Sequence, residues 1–306
     1  MTTNLSDSEE SNRAERQWSE RIVERIDDSI FPSTARGLGI NVVALLGAVV
    51  FAFPFYFMIV GSTVAPGEVF SWPIRLLPGD RLIQNYSYLL TETNFLSSLG
   101  SSLIYAVLNM IGVVILGTTA GYAFAKFSFP GHKPLFYLTL STLAIPFTLL
   151  AIPLFNLLVQ YNLVDTYPGV ILPAMAHPVA VFFMKQNIEQ TILDDMLNSA
   201  RMDGASESQI FVRIVLPLLR PGMAALAVLL FVDRMNDLFW PLVVLRSPDK
   251  QVATVWLANV TGGTQAATPW DVLLPGAVIT TIPVALVFIF MHKHFVQGLL
   301  SGSVKQ

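Results

Sequence analysis

The chain has 306 residues, of which 53% are hydrophobic and only 13% charged, with a formal net charge of −3. An average soluble domain carries about 25% charged residues, so this is the composition of a membrane protein. The lack of cysteine excludes a disulfide scaffold, thiol catalysis and cysteine-ligated zinc or iron–sulfur, and the slightly acidic balance offers no basic field for nucleic acid.

Residues 1–36 mix acidic and basic side chains, and Trp18, Ile22, Ile26 and Ile30 recur every four positions. That spacing predicts one apolar face of a helix, lying on the membrane surface or docked on another cytoplasmic part, beside the plainer reading of a structural lead-in. No early hydrophobic region predicts a signal peptide.

A bilayer core needs about 20 mostly apolar residues and penalises charge, so runs free of Asp, Glu, Lys and Arg mark candidate spans. Six occur in chain order. The first has its apolar heart at Ile40 to Ile59, the second covers Leu99 to Ala125, the third Pro134 to Val164, and the fourth Thr166 to Met184, after Asp165. The fifth runs from Pro221 to Val232, is interrupted by Asp233, Arg234 and Asp237, and resumes over Leu238 to Leu245; the last covers Val272 to Met291. This predicts an all-α, polytopic membrane helical bundle of six transmembrane helices. Pro54, Pro146, Pro153, Pro173, Pro178, Pro241, Pro275 and Pro283 lie in these runs, where each removes an amide donor and kinks its helix. Trp72, Tyr86, Trp256 and Trp270 fall in the outer loops, either as an interfacial belt or as ordinary loop packing.

Six spans put both termini on one side. Thirteen of the eighteen basic residues then fall on that side, including Lys126, Lys133, Lys185, Arg201, Arg213 and Arg220, against four on the other. The positive-inside rule makes that side the cytoplasm.

The cytoplasmic segment Lys185 to Arg220 carries the most information. Thr191 to Met202 reads as an amphipathic helix with Ile192, Met196, Ser199 and Ala200 towards one side, closed at Asp203-Gly204 by a left-handed glycine. Ser206 and Gln209 form a capping box that starts a second helix, and Pro217 and Pro221 end it and launch the next span. Two short helices at an angle make a knob suited to a groove on a partner, with a packing loop as the alternative.

Nothing in the chain reads as catalytic. A phosphate-cradling Gly-x-x-x-x-Gly-Lys-Ser/Thr loop requires a Gly-Lys pair, and none occurs. The histidines, His132, His177, His292 and His294, lack metalloprotease spacing and read as interfacial residues, so no metal or cofactor is expected. Intramembrane charge is costly, so Asp233, Arg234 and Asp237 either pair internally, Arg234 with Asp237 one turn on, or line a polar pathway. A stand-alone ion-coupled secondary transporter would use these three as its relay.

Asn198-Ser199-Ala200-Arg201-Met202-Asp203-Gly204-Ala205, followed after nine residues from Ser206 by Val215-Leu216-Pro217, resembles the EAA loop of ATP-binding-cassette importer permeases, with Ile214 to Pro217 in register. Asn198 and Ser199 depart from the family's Glu and Ala. The likeness extends over nearly the whole chain to the carbohydrate-uptake, maltose-type, MalG-like permeases. Asn85-Tyr86, Gly121 to Phe127, Ile210 to Pro221, Asn236-Asp237 with Pro241-Leu242, and Phe295 to Lys305 carry it. Asp233, Arg234 and Met235 stand where that family commonly has small or apolar residues and Trp.

The resemblance implies a membrane-spanning permease subunit, not an enzyme, that moves a sugar or sugar derivative by alternating access powered by separate ATPase subunits. It implies a homologous second permease, two ATP-binding subunits, an external solute-binding protein and a multi-pass place in the inner membrane. Its domains would be a cytoplasmic tail over 1–36, a transmembrane permease domain over 37–297 with a coupling loop over 190–217, and a cytoplasmic tail over 298–306. The ATPase contact falls to Asn198, Ser199, Ala200, Asp203, Gly204, Ala205, Ile214, Leu216 and Pro217, with Gly302 and Lys305 of the C-terminal tail. The Arg246 to Asp271 loop, with Gly262-Gly263, would meet the binding protein. A sugar pathway calls for aromatics and polar side chains, for which Asn156, Asn236, Asp237, Phe239 and Trp240 are the candidates.

Overall fold

A computed structural model describes residues 35–262 and 268–300. The tail face of Trp18 to Ile30, the tail residues Gly302 and Lys305, and Gly263 lie outside these. Contacts divide the chain into two units, Met1–Ile59 and Val60–Gln306. Among the described residues every regular element is helical. The first unit contributes most of α1 (Ala35–Gly61), whose stretch from Gly39 to Gly61 has a mean hydropathy of 2.5 and contains Pro54.

The second unit holds α2 (Leu82–Thr91), α3 (Phe95–Lys126), α4 (His132–Ser141), α5 (Phe147–Gln160), α6 (Tyr167–Ala174) and α7 (Pro178–Thr191). It continues with α8 (Asp194–Met202), α9 (Glu207–Leu218), α10 (Arg220–Met235), α11 (Phe239–Val244), α12 (Ala253–Val260) and α13 (Trp270–Leu300). Among the described residues, only α1, α3 and α13 are single helices long and apolar enough to cross a bilayer. The third and fourth apolar runs are bent pairs, α4 with α5 at 102° and α6 with α7 at 47°. The third run is therefore not one straight span. Pro146 breaks it, since it disfavours a helical residue before it and stands as the N-cap of α5. The fifth run divides as its charges predict, into α10 and α11.

Helix α3 lies at the centre, with its longest contacts along α7 and α10, and α10 packs in turn on α13. Small residues allow the close approach, the usual solution where lipid is as apolar as the side chains. A Cβ on Gly121 of α3 would stand 2.9 Å from the backbone nitrogen of Lys185 on α7, and one on Gly222 of α10 would stand 2.4 Å from Asn187 Oδ1. The core beside these contacts joins Val113 and Tyr122 of α3, Met184 and Ile188 of α7, Leu197 of α8, Ile210 of α9 and Leu226 of α10. One cluster thus runs from the spans into the knob.

Asn85 of the Asn-Tyr pair is buried and donates to the carbonyls of Ser62 and Val64, both at 3.0 Å, satisfying acceptors released where α1 ends. Trp256 packs edge-on against Phe95 and Trp270 against Phe70, so the outer tryptophans largely serve loop packing; Trp72, 89% exposed, alone of the three has the exposure a belt residue requires.

Gly121→Leu is expected to lower the stability of the detergent-purified protein by roughly 1–3 kcal/mol, because the added atoms meet α7 backbone that cannot move aside. Gly100→Leu, where a Cβ meets nothing within 4 Å, is expected to leave the thermal midpoint nearly unchanged in the same unfolding measurement.

Candidate functional site

Two helix breaks face one another. Met175 to His177 separate α6 from α7, and Asn236 to Leu238 separate α10 from α11. Between them lies a cavity of about 580 Å³, lined by His177, Asp233, Arg234, Asn236 and Asp237 and walled by Phe147 and Phe239 among others. At about 1.5 Å per residue, Asp233 lies about 20 Å along α10 from Arg220. A hydrocarbon core is about 30 Å thick, so the cavity sits deep in the span.

The charged side chains there form a closed network. Arg234 donates one terminal nitrogen to Asp233 at 2.6 Å and the other to Asp237 at 3.2 Å and to the Tyr105 hydroxyl at 3.0 Å. Tyr105 of α3 donates in turn to Asp237 at 2.7 Å. Asp237 also accepts the Trp240 amide with its other oxygen and so starts α11. Arg234 therefore holds both aspartates, where the sequence points to Asp237 alone. Pairing and pathway lining are not alternatives here, because the paired residues themselves line the cavity.

Backbone groups freed at the breaks are satisfied by side chains from neighbouring helices. Pro241 lacks the N–H that would reach the Asp237 carbonyl, and Thr254 Oγ1 of α12 donates to it at 2.7 Å. The Met175 amide turns to Leu172, and the Ile171 carbonyl left behind accepts Asn109 Nδ2 of α3 at 3.2 Å. His177 Nδ1 accepts the Ala180 amide at 3.3 Å and caps α7, which places the hydrogen of the neutral ring on Nε2.

Of the predicted pathway residues, Asn236, Asp237 and Phe239 meet at the cavity. Trp240 does not: it is buried in the core with Tyr105 and Val170, under Phe147. Asn156 is exposed on α5 and away from the cavity, because the break at Pro146 redirects that helix. His177, which reads as interfacial by sequence, is a lining residue, and Tyr105 joins the site without a sequence signal. A histidine before a proline inside an apolar run is the available signal for the first. Tyr105 has none, since its partner lies more than a hundred residues away.

The knob takes the expected form. Gly204 has φ +86°, the left-handed conformation that closes α8. Ser206 and Gln209 make both capping-box bonds at the start of α9. Arg201 donates to Glu207 at 2.6 Å and to Asn198 at 2.9 Å, bracing the two helices across the bend; Glu207 beside it raises the Arg201 pKa further. The buried anchors are Ile192, Leu197 and Ile210, whereas Ser199, placed on that side by the sequence, is exposed. Asn198, Asp203 and Gly204 are exposed, Met202 is 83% exposed, and Ala200 and Ala205 are half-buried. Ile214 and Leu216 are half-buried at the exit of α9, where Phe211–Val215 winds as a π-helix, and Pro217 is exposed. Lys126, at the end of α3, donates to the Ile192 carbonyl at 2.7 Å and to Asp194 at 2.6 Å, holding that carboxyl below its usual range and tying the knob to the central helix.

At the opposite end Asp165, with φ +60°, joins the α5–α6 turn to the α11–α12 loop. It accepts the amides of Arg246 at 2.9 Å and Ser247 at 3.0 Å, the Ser247 hydroxyl, and Lys250 Nζ. Burial pushes its carboxyl up, but the bonds from Ser247, Arg246 and Lys250 outweigh that and hold it well below the usual carboxylate range.

Residues 114–301 match the family of binding-protein-dependent transport system inner membrane components. The arabinooligosaccharides transport system permease protein AraQ of Halalkalibacterium halodurans is 36% identical over 261 residues, 84% of this chain and 92% of that protein. The sn-glycerol-3-phosphate transport system permease protein UgpE of Brucella abortus is 30% identical over 267 residues, 85% of this chain and 94% of that one. A crystal structure of a bacterial ABC transporter involved in the import of the acidic polysaccharide alginate contains a chain with TM-score 0.74 and 25% identity, covering 87% of this chain and 99% of its own.

Asp165 supplies a pH test. With its folded pKa depressed, its stabilisation is complete above the unfolded value near 4 and is lost as pH falls from there through the lower folded value. Asp165→Asn is expected to flatten that acid limb of the stability curve, read as thermal midpoint against pH.

Proposed function

We propose that this chain, which belongs to the binding-protein-dependent transport system inner membrane components, is the membrane-spanning permease subunit of an ATP-driven importer for a sugar or sugar derivative. The names of its relatives support the substrate class, since they handle arabinooligosaccharides and sn-glycerol 3-phosphate. Both termini face the cytoplasm, the 1–36 and 298–306 segments are cytoplasmic tails, and the 37–297 portion is the permease domain. The working unit contains a homologous second permease, two ATP-binding subunits and an external solute-binding protein, with Gly302 and Lys305 reaching the ATPase and the α11–α13 outer segment facing the binding protein.

One observation carries the mechanism: an exposed, doubly braced knob whose second helix leads at a 71° bend into the span that carries the cavity charges. Alternating access needs a driver that binds one state better than the other. Closure of the ATPase pair displaces Asn198 to Pro217. Glu207–Leu218 pushes on Arg220–Met235, and the break at Asn236 opens or closes the cavity lined by Asn236, Asp237 and Phe239. The ion-coupled reading requires a relay of carboxylates free to take up and release the ion, whereas Asp237 is held by both Arg234 and Tyr105, which leaves only Asp233 with an open oxygen.

Gly204→Pro is expected to abolish co-purification of the ATPase subunit and ATP-driven uptake, since proline cannot take a φ near +86°. Uptake and association at the level of the unmodified protein would refute the coupling role, and uptake driven by a proton gradient without ATP would establish the ion-coupled reading in its place.

A further inference from the structure

The side chains of the cavity are unequal in what they leave for a solute. Arg234 is the only lysine or arginine among its lining residues, and its charge is already shared between two carboxylates. Its terminal nitrogens hold Asp233, Asp237 and Tyr105, and its Nε is buried out of a solute's reach. Two carboxylates against one guanidinium leave one negative charge in excess. Asp233 presents it, with a side chain 59% exposed where that of Arg234 is 15%. Asn236 gives one of its two amide hydrogens to the Val232 carbonyl at 2.7 Å and keeps the other, with its carbonyl oxygen, for a solute. What remains is the open carboxylate oxygen of Asp233, with the second Asn236 amide hydrogen and the His177 Nε2 hydrogen as neutral donors. Phe147 and Phe239, each 40% exposed and edge to face at 6.4 Å, add apolar walls.

We infer that this cavity is a charge filter: it admits saccharides that are uncharged or bear an ammonium group and excludes uronates and sugar phosphates, with Asp233 as the residue that determines the selection. Hydroxyl and ammonium groups donate to Asp233, while the ring's C–H faces lie on the phenylalanines. A phosphate or carboxylate meets the like charge of Asp233 and finds no cation that is not already paired with a carboxylate. The inference rests on the reading of the cavity as part of the solute pathway, and it deepens that reading by fixing the charge of the solute.

The chain has no cysteine, so a single thiol introduced into it is unambiguous. Leu238→Cys and Ala176→Cys both place one on the cavity lining, and two positions guard against failure of either variant to fold. In the assembled transporter in proteoliposomes, labelling of this subunit is followed by mass spectrometry. The probes are a trimethylammonium methanethiosulfonate and a sulfonate methanethiosulfonate, each rate divided by that with a free thiol. The expected cation-to-anion ratio is roughly tenfold, from one unit charge a few ångströms away. It is expected to fall towards unity in Asp233→Asn, while total labelling stays constant. A ratio near one with Asp233 in place overturns the filter and leaves the pathway standing. Failure of both reagents to label either position, with and without ATP, overturns the filter and the pathway reading together.

Discussion

Within hydrocarbon every backbone donor and acceptor has to be satisfied by the protein itself, and the arrangement of this chain follows from how it meets that demand at its own breaks. Breaks divide the third, fourth and fifth apolar runs, and those in the fourth and fifth release carbonyls that side chains of the protein satisfy. Thr254 answers for Asp237, and Asn109 for Ile171. These bonds come from a third helix in each case, so each of these two breaks locks three helices together. The cavity exists because two such breaks are stabilised face to face.

A second constraint sets the distances. With no hydrophobic drive between helices in lipid, association depends on close packing, and Gly121 of α3 and Gly222 of α10 let neighbouring helices approach where a Cβ would collide. The same faces extend into the knob through Tyr122, Leu197 and Ile210, and Lys126 fastens the knob to the end of α3. A force applied at Gly204 therefore reaches α10 both along the chain and through packed side chains. The permease holds no nucleotide machinery of its own in sequence, and this stiff route is what a separate motor can act on.

Much of this is legible in the order of the amino acids. Absence of charge locates the six apolar runs, Asp233 to Asp237 mark the interruption of the fifth, and Gly204 with Ser206 and Gln209 fixes the bend of the knob down to individual bonds. These readings succeed because their causes are local: a bilayer penalises each charged residue where it stands, and a left-handed glycine or capping box closes within four residues. The readings that fail depend on bends or distant partners. Residue type points Asn156 towards the pathway, but the 102° bend at Pro146 carries it away. Trp240 has the aromatic character a sugar pathway calls for, but it fills the core instead.

By itself, then, the sequence determined that the chain spans a membrane, where its apolar runs begin and end, and where a two-helix knob protrudes, since composition, charge and turn chemistry act over a few residues. Only the tertiary structure decided that Arg234 holds two carboxylates together with Tyr105, that His177 enters the cavity, and that Asp165 pins one outer loop to another. Apart from the one-turn Arg234–Asp237 pair, those pairings join residues from 1 to more than 100 positions apart, and no periodicity or spacing along the chain encodes which of them meet.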